Sequence, residues 1–83
     1  MKYEVYLTRR AEKDILKLDK QTRSFIRIKI LEYAVNPFAY AKKLSNTILG
    51  SYRFRIGDYR VIADIEDNNI IILRIGHRKE VYK

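Results

Sequence analysis

The chain has no cysteine and only one histidine among its 83 residues. Without thiols it can form neither disulfide bonds nor thiolate metal sites, and one imidazole is too few for a zinc site held by protein ligands. No segment is apolar for long enough to span a bilayer, and the N-terminal stretch MKYEVYLTRR lacks the apolar run of a secretory signal. We therefore expect a cytoplasmic protein with no bound metal and no other cofactor.

Acidic residues are the other scarce class. The chain carries 10 Asp and Glu residues against 18 Lys and Arg residues, which gives a formal net charge of +8 at pH 7. The length predicts one small domain, residues 1–83, and an imbalance of this size in so small a domain favours a polyanionic partner. The candidate partners are nucleic acid, an acidic protein segment and an anionic membrane surface, and solubility alone is the alternative explanation.

The first half of the chain predicts one strand followed by two helices. Apolar and polar residues alternate over residues 2–7, which is typical of a strand with one buried face. Thr8 is placed to cap a first helix. A second helix fits about residues 20–35 and has a wide apolar face. The pair Asn36-Pro37 should end it, because a residue before proline avoids the helical region.

The second half of the chain predicts three strands. Residues 37–50 are predicted to be a loop with local helical turns. From Ser51 onward the segments SYRFRI, YRVIADIE and IIILRI are separated by turn-forming residues at Gly57-Asp58 and at 67–69. The order β-α-α-β-β-β indicates an α+β fold, in which a helical hairpin packs on one face of a small, mainly antiparallel sheet.

The stretch YRFRIGDYR places three arginines on one predicted hairpin. If Gly57-Asp58 is a two-residue loop, Arg55 opposes Arg60, and the hairpin acquires one apolar face that should pack on the helices. The other face carries Arg53, Arg55 and Arg60, which we expect to be exposed, although like charges side by side destabilise a sheet. We interpret this open face as an anion site. A pairing of Arg53 with Asp64 across the sheet is the alternative.

The sequence leaves open how the last strand, IIILRI, is aligned with this arginine face. Its nearly continuous apolar run is typical of a central strand covered on both faces. An even number of residues in the turn at 67–69 places His77 on the arginine face. An odd number places Arg74 and Arg78 there instead.

The segment YRFRIGDYRVIADIEDNNIIILRIGHRKEVY closely resembles the C-terminal half of RelE-type toxins in the RelE/ParE superfamily of type II toxin–antitoxin modules. The first half agrees more loosely, through a strand, two helices and the run KKLSNTILGSYRFRIGDYR. The resemblance covers essentially the whole chain and implies a compact α/β toxin that cleaves mRNA in the ribosomal A site. Cleavage in the family uses the ribose 2′-hydroxyl as nucleophile and leaves a 2′,3′-cyclic phosphate and a 5′-hydroxyl, without metal.

The resemblance also implies a set of catalytic residues. Its members are Arg53, Arg55, Arg60, His77, Arg78 and Tyr82. Arg53 and Arg55 stand where some relatives have lysines. Arginine stays protonated, so it can hold a phosphate but cannot act as a general base. His77 and Tyr82 are therefore the candidates for proton transfer.

The implied partners are a cognate acidic antitoxin, the ribosome with its rRNA, and mRNA. No membrane is implied, and operator DNA is contacted only indirectly, through the antitoxin complex. We expect an acidic antitoxin segment to fold onto the basic surface. Basic side chains outside the arginine hairpin are predicted to contact RNA and ribosomal phosphates. They are Lys13, Lys17, Arg27, Lys42 and Lys43.

Two other functions are compatible with the same sequence. A ParE-like toxin would share the fold and the GDYRV hairpin, and would inhibit DNA gyrase by protein contact without catalysis. A basic RNA- or DNA-binding module without catalysis is the second alternative. The ending with His77, Arg78 and Tyr82 favours the ribonuclease, because a gyrase inhibitor would not be expected to need it.

Overall fold

The computed structural model describes residues 2–44 and 50–81. The elements follow the order β1 (Glu4–Leu7), α1 (Arg9–Leu16), α2 (Lys20–Tyr33), a 3-10 turn (Pro37–Ala39), β2 (Lys42–Lys43), β3 (Tyr52–Ile56), β4 (Tyr59–Glu66) and β5 (Asn69–His77). The strands form a five-stranded sheet in the order β1-β5-β4-β3-β2. Only the β1–β5 pairing is parallel among the pairings described. The predicted α+β fold with a helical hairpin on a mainly antiparallel sheet is confirmed.

Both helices begin at polar caps. The Thr8 hydroxyl accepts a hydrogen bond from the Ala11 N–H at 3.1 Å, which confirms the predicted cap of α1. Asp19 caps α2 in the same way, accepting from the Thr22 N–H at 2.9 Å. Hydrogen bonds from the Thr22 side chain and backbone lower the pKa of Asp19 below its ordinary value. Among the described residues, neither helix is long and apolar enough to cross a membrane.

The core lies between the helices and the inward face of the sheet. Its buried members are Ala11, Ile26, Ile30, Ala34, Phe54, Ile56, Val61, Ala63, Ile70, Ile72 and Ile75. Phe54 is 2% exposed, so the predicted apolar face of the hairpin is confirmed. The apolar face of α2 is less completely buried than its predicted width suggests, since Phe25 and Leu31 remain 46% and 42% exposed. The helix contacts the sheet through a narrower stripe, formed by Ile26, Ile30 and Ala34 at intervals of four residues.

A short edge strand was not predicted. Residues 37–50 do contain a local helical turn at Pro37–Ala39, as expected, but Lys42–Lys43 forms β2 and pairs with β3. Residues 45–49 lie outside the described part of the chain. A two-residue strand is too short for alternation to reveal it.

A bulge in β5 decides the alignment that the sequence left open. The turn holds two residues, since Glu66 pairs with Asn69, and an even turn alone would place His77 on the arginine face. The register then shifts, because Ile62 pairs with Arg74 whereas Ala63 pairs with Ile72. The extra residue in β5, Leu73, reverses the two faces from that point on. Arg74 therefore lies on the arginine face, as an odd turn would have placed it, and the even-turn expectation for His77 is wrong.

The outer face of the sheet is covered near this bulge. Ile62 is fully buried, although it lies on the face predicted to be open. The backbone of Gly50 passes over it so closely that an added Cβ would lie 2.7 Å from Ile62 and 2.9 Å from Leu73. Only glycine allows this approach without displacing a neighbour.

Helix α1 and its N-cap residue provide hydrogen-bond partners for β5 where β1 ends. The last β1–β5 pair is Leu7 with Ile72. Beyond it, the Thr8 N–H donates to the Ile72 carbonyl at 3.0 Å. The Asp14 carboxylate then accepts from the Ile75 N–H at 3.0 Å and from Arg74 Nε at 2.8 Å. Asp14 is only 6% exposed, so this carboxylate satisfies a backbone donor and a guanidinium in a buried place.

We predict that Asp14→Ala destabilises the protein by about 3–5 kcal/mol, because it leaves the Arg74 charge and the Ile75 N–H without their partner. Urea unfolding measures the change. Glu12→Ala removes an exposed carboxylate from the same helix and should cost about 1 kcal/mol or less. Equal stabilities for the two variants would contradict a structural role for Asp14.

Candidate active site and nucleic-acid interface

Basic side chains from neighbouring strands meet on the outer face of the sheet. Arg55 pairs with Arg60 across β3 and β4, and Lys42 pairs with Arg53 across β2 and β3. The predicted two-residue loop at Gly57-Asp58 is confirmed, since Ile56 pairs with Tyr59. Adjacent strands lie about 4.8 Å apart, so these pairs hold positive charges side by side.

Arg60 is not exposed, and the sequence-based prediction is wrong on this point. Its residue exposure is 5%. Its Nη1 donates to the carbonyls of Gly57 at 3.1 Å and of Tyr59 at 3.0 Å. The guanidinium therefore folds back over the end of its own hairpin, where the turn presents carbonyl oxygens. These charge-assisted bonds help to offset the repulsion between neighbouring arginines.

Arg53 and Arg55 line a small cleft at the edge of the sheet. With Tyr40 and Lys42 they enclose about 200 Å³, and we call this space the edge cleft. Arg55 is exposed, whereas Arg53 is half-buried. The structure thus brings together two predicted catalytic residues and one predicted RNA-binding residue. It also adds Tyr40, which sequence analysis had missed because nothing local links it to the hairpin.

Lys43 lies apart from the edge cleft. It pairs with Tyr52, whereas Lys42 pairs with Arg53, so the two lysines belong to opposite faces of β2. Lys13, Lys17 and Arg27 are exposed on the helices, on the other side of the sheet from Arg55. The predicted RNA-binding residues therefore do not form one continuous surface.

His77 lies at the end of β5 on the helix-facing side. It pairs with Tyr59, and the two rings meet edge to face with their centroids 5.7 Å apart. Its Nδ1 accepts from the Lys79 N–H at 3.2 Å, so in the neutral ring the proton is on Nε2. On the arginine face of β5, the neighbour of Arg60 is Gly76, and His77 points to the opposite face.

The C-terminal turn packs against the arginine hairpin. The Arg78 N–H donates to the Asp58 carbonyl at 2.8 Å, which fixes exposed Arg78 beside the β3–β4 turn. Val81 is 1% exposed, and a Cβ added to Gly76 would lie 3.4 Å from its Cβ. The turn therefore closes over Gly76, the neighbour of Arg60. Tyr82 lies outside the described residues.

Asp14 is a second residue that sequence analysis missed. It forms part of another cleft, of about 370 Å³, with Lys17, Arg74 and His77 among its lining residues. A signal was present, since position 14 lies three residues after Ala11 and four before Leu18 on the apolar stripe of α1. A charge at such a position requires a buried partner. Within residues 2–44 and 50–81, no group of three or more His, Asp or Glu residues could hold a metal ion.

The comparisons with known proteins agree with this fold. The family model described as "ParE toxin of type II toxin-antitoxin system, parDE" matches residues 5–82. The chain therefore belongs to this family of toxins, within the RelE/ParE superfamily. It is a RelE-type toxin of a type II toxin–antitoxin system, as the sequence resemblance predicted.

Individual relatives cover nearly the whole chain. Toxin RelG of Mycobacterium tuberculosis is 30% identical over 90 aligned positions, which span 100% of this chain and 99% of that toxin. A chain in the RelBE2 toxin–antitoxin complex of the same organism has a TM-score of 0.83 and 27% identity, covering 94% of this chain and 100% of that one. A chain in the archaeal RelE–RelB complex of Pyrococcus horikoshii has a TM-score of 0.76 and 27% identity, and the match covers 98% of this chain and 100% of that one.

We predict that Arg60→Ala lowers stability by about 1–3 kcal/mol, because it removes a buried charged donor from two carbonyls of the turn. Thermal and urea unfolding measure the loss. Arg55→Ala is the matched control, since it removes the exposed arginine directly opposite and should change stability by about 0.5 kcal/mol or less. A fully stable Arg60→Ala variant would show that the turn does not need its guanidinium.

Proposed function

We propose that this toxin is a ribosome-dependent mRNA endoribonuclease that cuts in the A site without metal and thereby inhibits translation. The observation that carries the proposal is the group of arginines on one rigid sheet face, with Arg53, Arg55 and Arg60 in paired strands and Arg78 fixed beside their turn. Structural relatives named RelE support it. Preorganised cations are what a reaction at a phosphate needs.

The proposed reaction is an in-line transfer within the RNA strand. The 2′-oxygen attacks the adjacent phosphorus while the bond from phosphorus to the 5′-oxygen breaks, which gives a 2′,3′-cyclic phosphate and a 5′-hydroxyl. The 2′-hydroxyl gives up its proton, and the departing 5′-oxygen receives one. Negative charge grows on the non-bridging oxygens, where fixed arginines stabilise it. The ribosome would align the strand for attack.

Arg60 and Arg78 are assigned to the scissile phosphate. The bonds of Arg60 to the Gly57 and Tyr59 carbonyls hold its charge in place before substrate arrives. Arg78 is anchored through its backbone but has an exposed side chain. We infer that Arg60 acts as a fixed charge and that Arg78 closes on the phosphate.

Proton transfer falls to His77 or Tyr82, because arginine cannot take up a proton. The His77 ring lies on the helix-facing side of β5 and uses Nδ1 to accept from Lys79. Tyr82 directly follows Val81, which packs over Gly76 on the arginine side. Because the His77 ring lies away from the arginine face, we favour Tyr82 for proton transfer, although Tyr82 itself lies outside the described residues.

We predict that Arg78→Ala reduces single-turnover cleavage of A-site mRNA by on the order of a hundredfold, while ribosome affinity changes little. Tyr82→Phe, which keeps the ring and removes the hydroxyl, should also lose rate. Lys13→Ala should do the opposite, weakening ribosome binding and its salt dependence with little effect on the bound rate. If Tyr82→Phe and His77→Ala both cleave at the parent rate, arginine electrostatics and alignment alone drive the reaction.

The family description favours one second candidate, since the matching model is that of ParE toxins. In this alternative the protein inhibits DNA gyrase by contact and catalyses nothing. The decisive comparison is mRNA cleavage in a translating lysate against DNA supercoiling by gyrase. A protein that leaves mRNA intact and blocks supercoiling would exclude the ribonuclease.

The antitoxin is proposed to occupy the helix side of the molecule. The structural relatives include complexes of RelE with RelB. In this chain an apolar groove of about 530 Å³ lies between β1, α1 and α2. Its lining includes exposed Leu16 and Leu31 together with basic Lys20, Arg23 and Arg27. An apolar groove with a basic rim suits an acidic amphipathic segment that folds on binding.

We predict that free toxin arrests growth and that its antitoxin relieves the arrest. Leu31→Asp should abolish the relief while keeping toxicity, because a charge enters the groove and repels an acidic partner. Ile28→Asp is the control, since Ile28 is 57% exposed on the same helix and is not among the groove's lining residues. Co-expression and co-purification measure both effects. Equal relief for the two variants would place the antitoxin elsewhere.

A further inference from the structure

The edge cleft has the composition of a nucleotide subsite. Of the four residues that line it in the described part of the chain, Lys42, Arg53 and Arg55 are cationic and Tyr40 is aromatic. Lys42 and Arg53 are register partners across β2 and β3, so their positions are set by backbone pairing. Arg55 follows two residues along the same strand face. The cleft is therefore part of the sheet, not a chance meeting of flexible surface chains.

Tyr40 is the outer end of a column of three rings. Its ring stacks on Tyr33 with centroids 4.2 Å apart and an interplanar angle of 12°. Tyr33 stacks in turn on Phe54 at 5.9 Å, and Phe54 is buried in the core. The Tyr40 N–H also donates to the Pro37 carbonyl at 3.1 Å. These contacts hold the ring in one orientation.

Tyr40 nevertheless stays 54% exposed. A large aromatic residue that is fixed from beneath and open above loses little conformational entropy when a ligand stacks on it. Every nucleobase offers a flat face for such stacking, and cations beside the ring suit the backbone phosphates. An acidic peptide would satisfy the cations equally well but would gain nothing from the ring.

We propose that the edge cleft binds one nucleotide of single-stranded RNA, with its phosphate on Lys42 and Arg53 and its base stacked on Tyr40. The proposal rests on the proposed function for the nature of the ligand, and it adds Tyr40 and Lys42 to the site. The bound nucleotide is a neighbour of the scissile one, since Arg55 borders both the edge cleft and Arg60. Tyr40 is thus a binding residue that positions the strand.

The test is the binding of a short labelled 2′-O-methyl oligoribonucleotide to the purified toxin, followed by fluorescence anisotropy over a range of salt concentrations. The methyl group blocks the nucleophile, so the probe reports binding alone. Tyr40→Ala should weaken binding on the order of tenfold, whereas Tyr40→Phe should stay within about twofold because the ring is kept. Lys42→Ala should weaken binding and lower the salt slope by about one.

Lys29→Ala is the charge-matched control, because it removes one cation from α2, where Lys29 pairs with Glu32. It should bind the probe within about twofold of the parent. Melting curves check that Tyr40→Ala, which shortens the ring column, is still folded. Lys42→Ala leaves that column intact and provides an independent second variant.

Three results would overturn the proposal. They are no binding of the probe by the parent, parent-like binding by both Tyr40→Ala and Lys42→Ala, and preferential binding of a poly-glutamate peptide through the same two residues. Failure of the proposed function is recognised separately. If the parent protein cuts no mRNA on the ribosome but binds the probe through Tyr40, the ribonuclease proposal fails and the RNA subsite stands.

Discussion

The fold depends on which groups form hydrogen bonds with the backbone of β5 beyond the point where its neighbour β1 ends. Backbone donors and acceptors buried along a strand need partners, and β1 supplies them only as far as Ile72. Thr8 and Asp14 of the first helical segment take over from there. The same carboxylate binds Arg74, so helix, strand and bulge are joined at one buried point.

The bulge that this arrangement accommodates sets the chemistry of the two sheet faces. One extra residue in β5 reverses the inward and outward positions that follow it. As a result Gly76, not Ile75, becomes the neighbour of Arg60, and its missing side chain leaves room for Val81. The C-terminal turn can then close against the arginine hairpin and hold Arg78 beside it.

The hairpin tolerates two opposed arginines because the two side chains lie in different environments. Arg60 is buried and bonded to turn carbonyls, whereas Arg55 opposite it stays in solvent. On the reverse side, Phe54 packs into the core and anchors the ring column that ends at Tyr40. The apolar groove lies on the helix side, away from these arginines. An antitoxin segment seated in that groove would have to pass round the sheet edge to cover Arg55.

Local patterns determined the elements of this protein. The hairpin at Gly57-Asp58, its apolar face with Phe54 and the cap at Thr8 followed from turn chemistry, alternation and capping, which involve residues close in sequence. The family resemblance rested on the same local runs, and it named the toxin class before any contact was known. Roles for individual residues in the reaction remain predictions, including that of Tyr82.

Only the tertiary structure decided the positions that depend on distant partners. The alternating pattern of the strand predicts that Arg60 is exposed, but its guanidinium donates to the carbonyls of Gly57 and Tyr59 at the end of the hairpin. Directly after the bulge in β5, Arg74 and Ile75 donate to the carboxylate of Asp14, which is 61 residues away from Ile75 along the chain. Tyr40 lies beside Arg55 in the edge cleft, where its ring stacks on Tyr33 and, through Tyr33, on buried Phe54. Sequence periodicity records which face a residue prefers, whereas these placements depend on hydrogen bonds and packing between segments that no local pattern connects.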